Sequence, residues 1–177
     1  RLSLYGTALT HQRDIYEQWS PDPSASVQAL AAVAKRFLSC WPDDPWALLM
    51  NAYTDIYQGD REAAIANVQR ALEREPSSLG GRSLYGQLLA MTGQMQSAVN
   101  ELEKALQLSP YTPDRWVQEC VMALAYFAGE AYEDAVKWGE LAAKSSRAGA
   151  MAHSVLASSY HYLGERQKAK SSHTRLM

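Results

Sequence analysis

The side chains whose types could do chemistry are few, and their spacing works against it. His153 and His161 stand eight residues apart, so they share a helix face only loosely, and no third ligand lies at metal spacing. His11 and His173 are isolated. Cys40 and Cys120 are far apart and fall into no CxxC or Cys/His pattern, which fits neither a zinc site nor a disulfide framework. Reduced, hydrophobically buried thiols are the simpler expectation. The serine pairs Ser145-Ser146, Ser158-Ser159 and Ser171-Ser172 have no base at a recognisable spacing, and helix ends and small interface residues account for them. Gly80-Gly81 lacks the frame of a dinucleotide fingerprint or a P-loop. No catalytic, cofactor-binding or metal-binding residue is expected.

Charge narrows the choice of partner further. Seventeen basic and nineteen acidic residues give a formal net charge of −2, so no field draws the chain to nucleic acid or to an anionic membrane. No apolar run reaches the roughly 18 residues of a membrane span. Ten Tyr and five Trp against two Phe favour half-buried walls, because each such ring has an apolar body and a polar tip. The chain opens on Arg1 rather than methionine, as a fragment of a longer protein would.

The elements that must carry these rings show themselves by repetition. Ala52, Gly59, Ala64, Ala71, Leu72 and Pro76 recur as Gly86, Gly93, Ala98, Ala105, Leu106 and Pro110, each pair 34 residues apart. That is the period of the tetratricopeptide (TPR) helix–turn–helix repeat, and the matched residues place the chain by resemblance in that family. Small residues are needed where two helices cross closely, and Leu72, Leu102 and Leu106 fill the space between layers. The fold class this implies is an all-α superhelix, a TPR solenoid of about five hairpins and about ten antiparallel helices.

Boundaries follow from breakers and caps. A first helix is expected over residues 2–19, closed by Ser20-Pro21-Asp22-Pro23, and a second from a Ser24 or Ser26 cap to about Cys40. They make a degenerate N-terminal hairpin, 1–41, in which Phe37 stands where later repeats have Ala. Repeats then cover 42–76, 77–110, 111–147 and 148–177, within a single domain. Asp44 with Pro45, and Asp60 after the turn at Gly59, open the two helices of the clearest repeat. In the third, Thr112 is the expected cap, helices run over 114–128 and 131–145, and Gly129 to Ala135 holds one residue more than Gly59 to Ala64.

A narrower resemblance lies in Pro110, Pro113, Trp116, then Ala125-Tyr126-Phe127-Ala128-Gly129, then Tyr132-Glu133-Asp134-Ala135-Val136-Lys137-Trp138. This string is similar to the repeat domains C-terminal to bacterial class III adenylate/guanylate cyclases or winged-helix transcription regulators. In that group the repeats regulate, sense or bind partners while another domain supplies the output. The cyclase chemistry itself needs metal-holding carboxylates on a sheet, and no strand pattern is present to carry them.

In TPR proteins the first helix of each hairpin lines a concave groove. Carried over in register, its positions are Trp46, Leu49, Tyr53, Ile56 and Tyr57; then Gly80, Ser83, Gln87, Ala90 and Met91. The third repeat gives Trp116, Glu119, Ala123, Tyr126 and Phe127, and the fourth Met151, Ser154, Ser158, His161 and Tyr162. The expected groove is aromatic and poor in charge, and its partner-binding residues are Trp46, Leu49, Tyr53, Tyr57, Gln87, Met91, Trp116, Tyr126, Phe127, His161 and Tyr162. Leu49 and Tyr53 occupy two of the places where chaperone-binding members carry a carboxylate clamp, so an acidic chaperone tail is not the expected ligand. The function this implies is a non-catalytic interaction or regulatory module of a bacterial signalling protein. It would bind a peptide or protein, or act on a fused output domain, in the cytoplasm. Sensing of a small molecule and homodimerisation are the alternatives.

Overall fold

The computed structural model describes residue 3 and residues 6–11 and 21–175. Of the first helix expected over 2–19, residue 3 and residues 6–11 are described and helical, and the remainder lies outside the described residues. Nine further helices follow among the described residues: α1 (Pro23–Cys40), α2 (Pro45–Gln58), α3 (Arg61–Arg74), α4 (Leu79–Met91), α5 (Met95–Leu108), α6 (Arg115–Ala128), α7 (Tyr132–Ala142), α8 (Gly149–Tyr162) and α9 (Arg166–Thr174). The chain packs as two compact units, Arg1–Gly81 and Arg82–Met177.

Helix starts in the first unit are set by aspartates followed by residues that tolerate an unpaired N–H. Asp44 accepts from the backbone N–H groups of Trp46 and Ala47 at 3.0 and 3.1 Å, with Pro45 at the first helical position. Asp60 accepts from Ala63 at 3.0 Å. The start of α1 follows the same rule and corrects the expectation of a Ser24 or Ser26 cap. Asp22 accepts from Ala25 at 3.1 Å and Pro23 opens the helix. The second half of the Pro-Asp-Pro stretch is thus a helix start, and the end of the preceding helix lies outside the described residues.

The first unit packs α1 on α2 and α2 on α3. Phe37, at 1 % exposure, fills the position that is Ala in later repeats, and its bulk is taken up by rings: Trp41 at 5.0 Å and Trp46 at 5.3 Å between centroids. Ala64, Val68 and Ala71 of α3 are fully buried at the crossing with α2. On the surface Asp43 takes Arg70 and Arg74 at 3.1 and 2.9 Å, tying the loop before α2 to α3.

The core of the second unit gathers Leu89, Ala90, Ala98, Val99, Leu102, Val121, Met122 and Ala125 from α4, α5 and α6, with Tyr85, Tyr126 and Trp138 packed against it. Gly86 is there because of clearance. A Cβ on it would stand 2.6 Å from Leu102 Cγ and 3.2 Å from the Ala98 carbonyl oxygen. At one edge Glu101 takes Arg82 and Lys104, both at 2.6 Å.

Four helix pairs turn through one hydrogen-bonded geometry. The N–H of Gly59, Gly93 and Gly164 donates to the carbonyl three residues back, and the next N–H reaches five residues back, which satisfies the last carbonyls of the helix. Each of these glycines has a left-handed φ, between +77° and +84°. In the third repeat the same two bonds are made by Glu130 to Phe127 and Ala131 to Tyr126, and Glu130 carries the positive φ, +61°. Gly129, at φ −90°, is not the turn residue. It is small because a Cβ there would collide with the Met95 side chain.

This corrects the register of the third repeat. Glu130 to Ala135 matches Gly59 to Ala64 without an extra residue, and Glu130 follows Gly93 by 37 residues instead of 34. The extra length sits ahead of the turn, mostly in the connection before α6, where Tyr111 stands 95 % exposed. Thr112 is not the helix cap either. Helix α6 begins at Arg115, and Asp114 makes an ion pair with Arg147 at 2.6 Å instead of a side-chain cap bond. Helix α7 stops at Ala142, three residues short of the expected end.

Candidate functional site

Counting back from the left-handed residue puts every repeat on one scale. The ninth residue before it is Met50, Leu84, Val121 or Val155, and all four are buried. The second residue before it is Tyr57, Met91, Ala128 or Tyr162. Three of these are large and exposed: Tyr57 by 40 %, Met91 by 37 % and Tyr162 by 62 %. Within each unit, then, the same repeat position leaves a large apolar side chain in water.

In the first unit the expected wall residues grade from covered to open along α2. Trp46 is half-buried against Phe37. Leu49 is buried, with Gly80 at the start of α4 set beside it. Tyr53 is half-buried and Tyr57 lies open. Partial burial of the Tyr57 hydroxyl raises its pKa above the ordinary phenol value. Near the turn, Asp55 accepts from Asn67 at 2.8 Å and Asn51 at 3.3 Å.

In the second unit, Gln87 is half-buried and Met91 exposed. The corrected register moves Trp116, Glu119, Ala123 and Tyr126 one position off the expected wall. Trp116 is accordingly 7 % exposed, with the Arg147 guanidinium 5.7 Å from its ring centroid, and Tyr126 packs against the core. Phe127 keeps a wall position and belongs to a cluster. Its ring lies 5.7 Å from Tyr132 and 5.8 Å from Tyr162, Tyr132 and Tyr162 stack at 4.7 Å and 7°, and His161 meets Tyr162 edge-on at 5.8 Å. Tyr132 was missing from the expected wall because it opens the second helix of its hairpin, not the first. Its signal was its place two residues beyond Glu130, which is legible only once Glu130 is known to be the turn.

The stacked rings offer flat apolar faces with hydroxyls at the rim. Such a surface suits apolar or prolyl side chains of a peptide. Elsewhere, burial and then the Glu119 charge push the Cys120 thiol up to about 12, which keeps it protonated and inert. Cys40 is exposed, and both thiols are free. Among the described residues no three His, Cys, Asp or Glu side chains come together as a metal site, and no helix is long and apolar enough to cross a membrane.

Comparison with known proteins agrees with the fold. Residues 49–113 match the family model of the tetratricopeptide repeat. Among curated proteins none matches the chain. A solved structure of PilW, described as a widely conserved type IV pilus biogenesis factor, superimposes with a TM-score of 0.79 at 15 % identity, over 99 % of this chain and 77 % of that one. A thermophilic TPR protein of Thermus thermophilus gives 0.74 at 20 % identity, over 96 % and 89 %. MamA of Desulfovibrio magneticus gives 0.66 at 18 %, over 98 % and 93 %. The fold is therefore the all-α TPR solenoid that the repeats predict.

Proposed function

We propose that this chain is a non-catalytic interaction module that holds a peptide segment of a partner protein against the aromatic side chains near its repeat turns. The observation that carries this is the recurrence of exposed Tyr57, Met91 and Tyr162 at one repeat position, reinforced by the Phe127–Tyr132–Tyr162 stack. The similarity to a pilus biogenesis factor and to MamA supports a scaffolding role at the level of fold alone. The narrower resemblance to repeat domains of bacterial cyclases and winged-helix regulators supports a place in a cytoplasmic signalling protein, with the segment in cis or in trans to a fused output domain.

Aromatic anchors of this kind favour an extended or helical segment with apolar residues at a fixed spacing. The test is selection from a displayed random-peptide library, on wild type and on the Tyr57→Ala/Tyr162→Ala variant. Tyr57 is exposed and Tyr162 loses ring contacts with Tyr132 and Phe127, so the variant should stay folded with a modest fall in melting temperature. Wild type should enrich peptides with spaced apolar anchors that the variant binds at least about tenfold more weakly, a difference of roughly 1.4 kcal/mol. Peptides bound equally by both would contradict the assignment.

A further inference from the structure

A cavity of about 310 Å³ opens in the second unit among α7, α8 and α9, away from the stacked rings in its lining residues and in its chemistry. Its charges are unevenly paired. The Glu140 carboxylate accepts from the Tyr160 hydroxyl at 2.5 Å, and Lys168 pairs with Glu165 at 2.5 Å. Lys144 and Arg175 also line the cavity, and neither has a carboxylate within ion-pair distance among the described residues. Two polar residues border the same space. Ser172 is 8 % exposed and its hydroxyl makes no hydrogen bond among the described residues, and the enclosed Nδ1 of His153 has none either. Burial, and then the charge of Arg175, hold the His153 pKa below its ordinary value, so the ring is neutral at pH 7. Leu156 and Ala143 give the cavity an apolar side.

We infer that this cavity binds a small organic dianion, a phosphate monoester or a dicarboxylate. The guanidinium of Arg175 matches an oxyanion in a fork of parallel N–H bonds, and Lys144 adds a point charge. The Ser172 hydroxyl supplies a neutral hydrogen bond to the oxyanion. The volume is at the lower end for ligand cavities, which suits a metabolite and excludes a folded chain. None of these residues belongs to the aromatic surface, so either assignment can fail while the other stands.

The test is calorimetric titration of the whole chain at low ionic strength with three probes: inorganic phosphate, phenyl phosphate and glutarate. Saturable binding of at least one is expected, and the two phosphates against glutarate separate a phosphate site from a carboxylate site. The Lys144→Gln/Arg175→Gln variant changes two exposed side chains and should keep the wild-type melting temperature. It should bind at least about tenfold more weakly, and Ser172→Ala should weaken binding to a lesser degree. Absence of saturable binding by all three probes at roughly 10 mM, or binding that survives the double substitution, would overturn the site.

Discussion

Glu130 holds a left-handed backbone that costs a non-glycine residue on the order of 1 kcal/mol, and glycine holds the same place in the other three turns. Glu130→Gly should therefore raise stability by about that amount, less the extra freedom gained by the unfolded chain. Gly129→Ala should lower stability, because its Cβ meets Met95. Urea melts of the two variants should move in opposite directions, and the reverse order would restore Gly129 as the turn. Glu101 makes a separate residue-scale claim. Burial acts to raise its pKa, but the hydrogen bonds from Lys104 and Arg82 outweigh that and set it below the ordinary 4.5. A depressed carboxylate contributes stability that is fully present above the unfolded pKa and is lost as pH falls through the folded one. Glu101→Gln should cost roughly 1.5–3 kcal/mol at pH 7, the worth of hydrogen bonds to a charged group. The gap from wild type should close as pH drops below 4.5. A gap that stays constant down to pH 3 would mean the ion pairs contribute nothing. For the thiols, native protein should react with a thiol reagent once, at Cys40, and the unfolded chain twice.

At the scale of the helices, close crossings are what the period encodes. Gly86→Ala and Ala64→Leu should each cost about 1–3 kcal/mol by overpacking, since both positions are filled by a neighbouring helix. Unchanged melting of either variant would mean that the crossing lies elsewhere. The same small residues made most helices legible in the chain, because a residue that has to be small is recognisable by type. Aspartate and proline starts and glycine turns were legible for the same reason, and Pro45–Gln58 was readable to the residue. The third repeat was not. Its glycine is present for clearance over Met95, its turn is made by a glutamate, and residue type reports neither fact. That single ambiguity shifts Trp116 and Tyr126 by one register position and hides Tyr132. Leu49 is buried, and the start of the following repeat approaches it at Gly80, which no pattern within one helix reports.

For the whole molecule, composition and spacing argue for binding rather than chemistry, and the apolar surface recurs with the repeat instead of gathering into one deep pocket. In the second unit the Phe127, Tyr132 and Tyr162 rings come from adjoining helices, so affinity for a peptide would build from several modest ring contacts. The central claim is that the rings near the turns are the contact face. Its most direct test is a ¹H–¹⁵N NMR titration of the assigned protein with a library-selected peptide. The account predicts shifts concentrated, within whichever unit the peptide engages, at Tyr57 of the first or at Met91, Phe127, Tyr132 and Tyr162 of the second, and at their neighbours. Shifts that leave these residues unmoved and map to α1, to the Asp43–Arg70–Arg74 surface or to the α7–α9 cavity would contradict it.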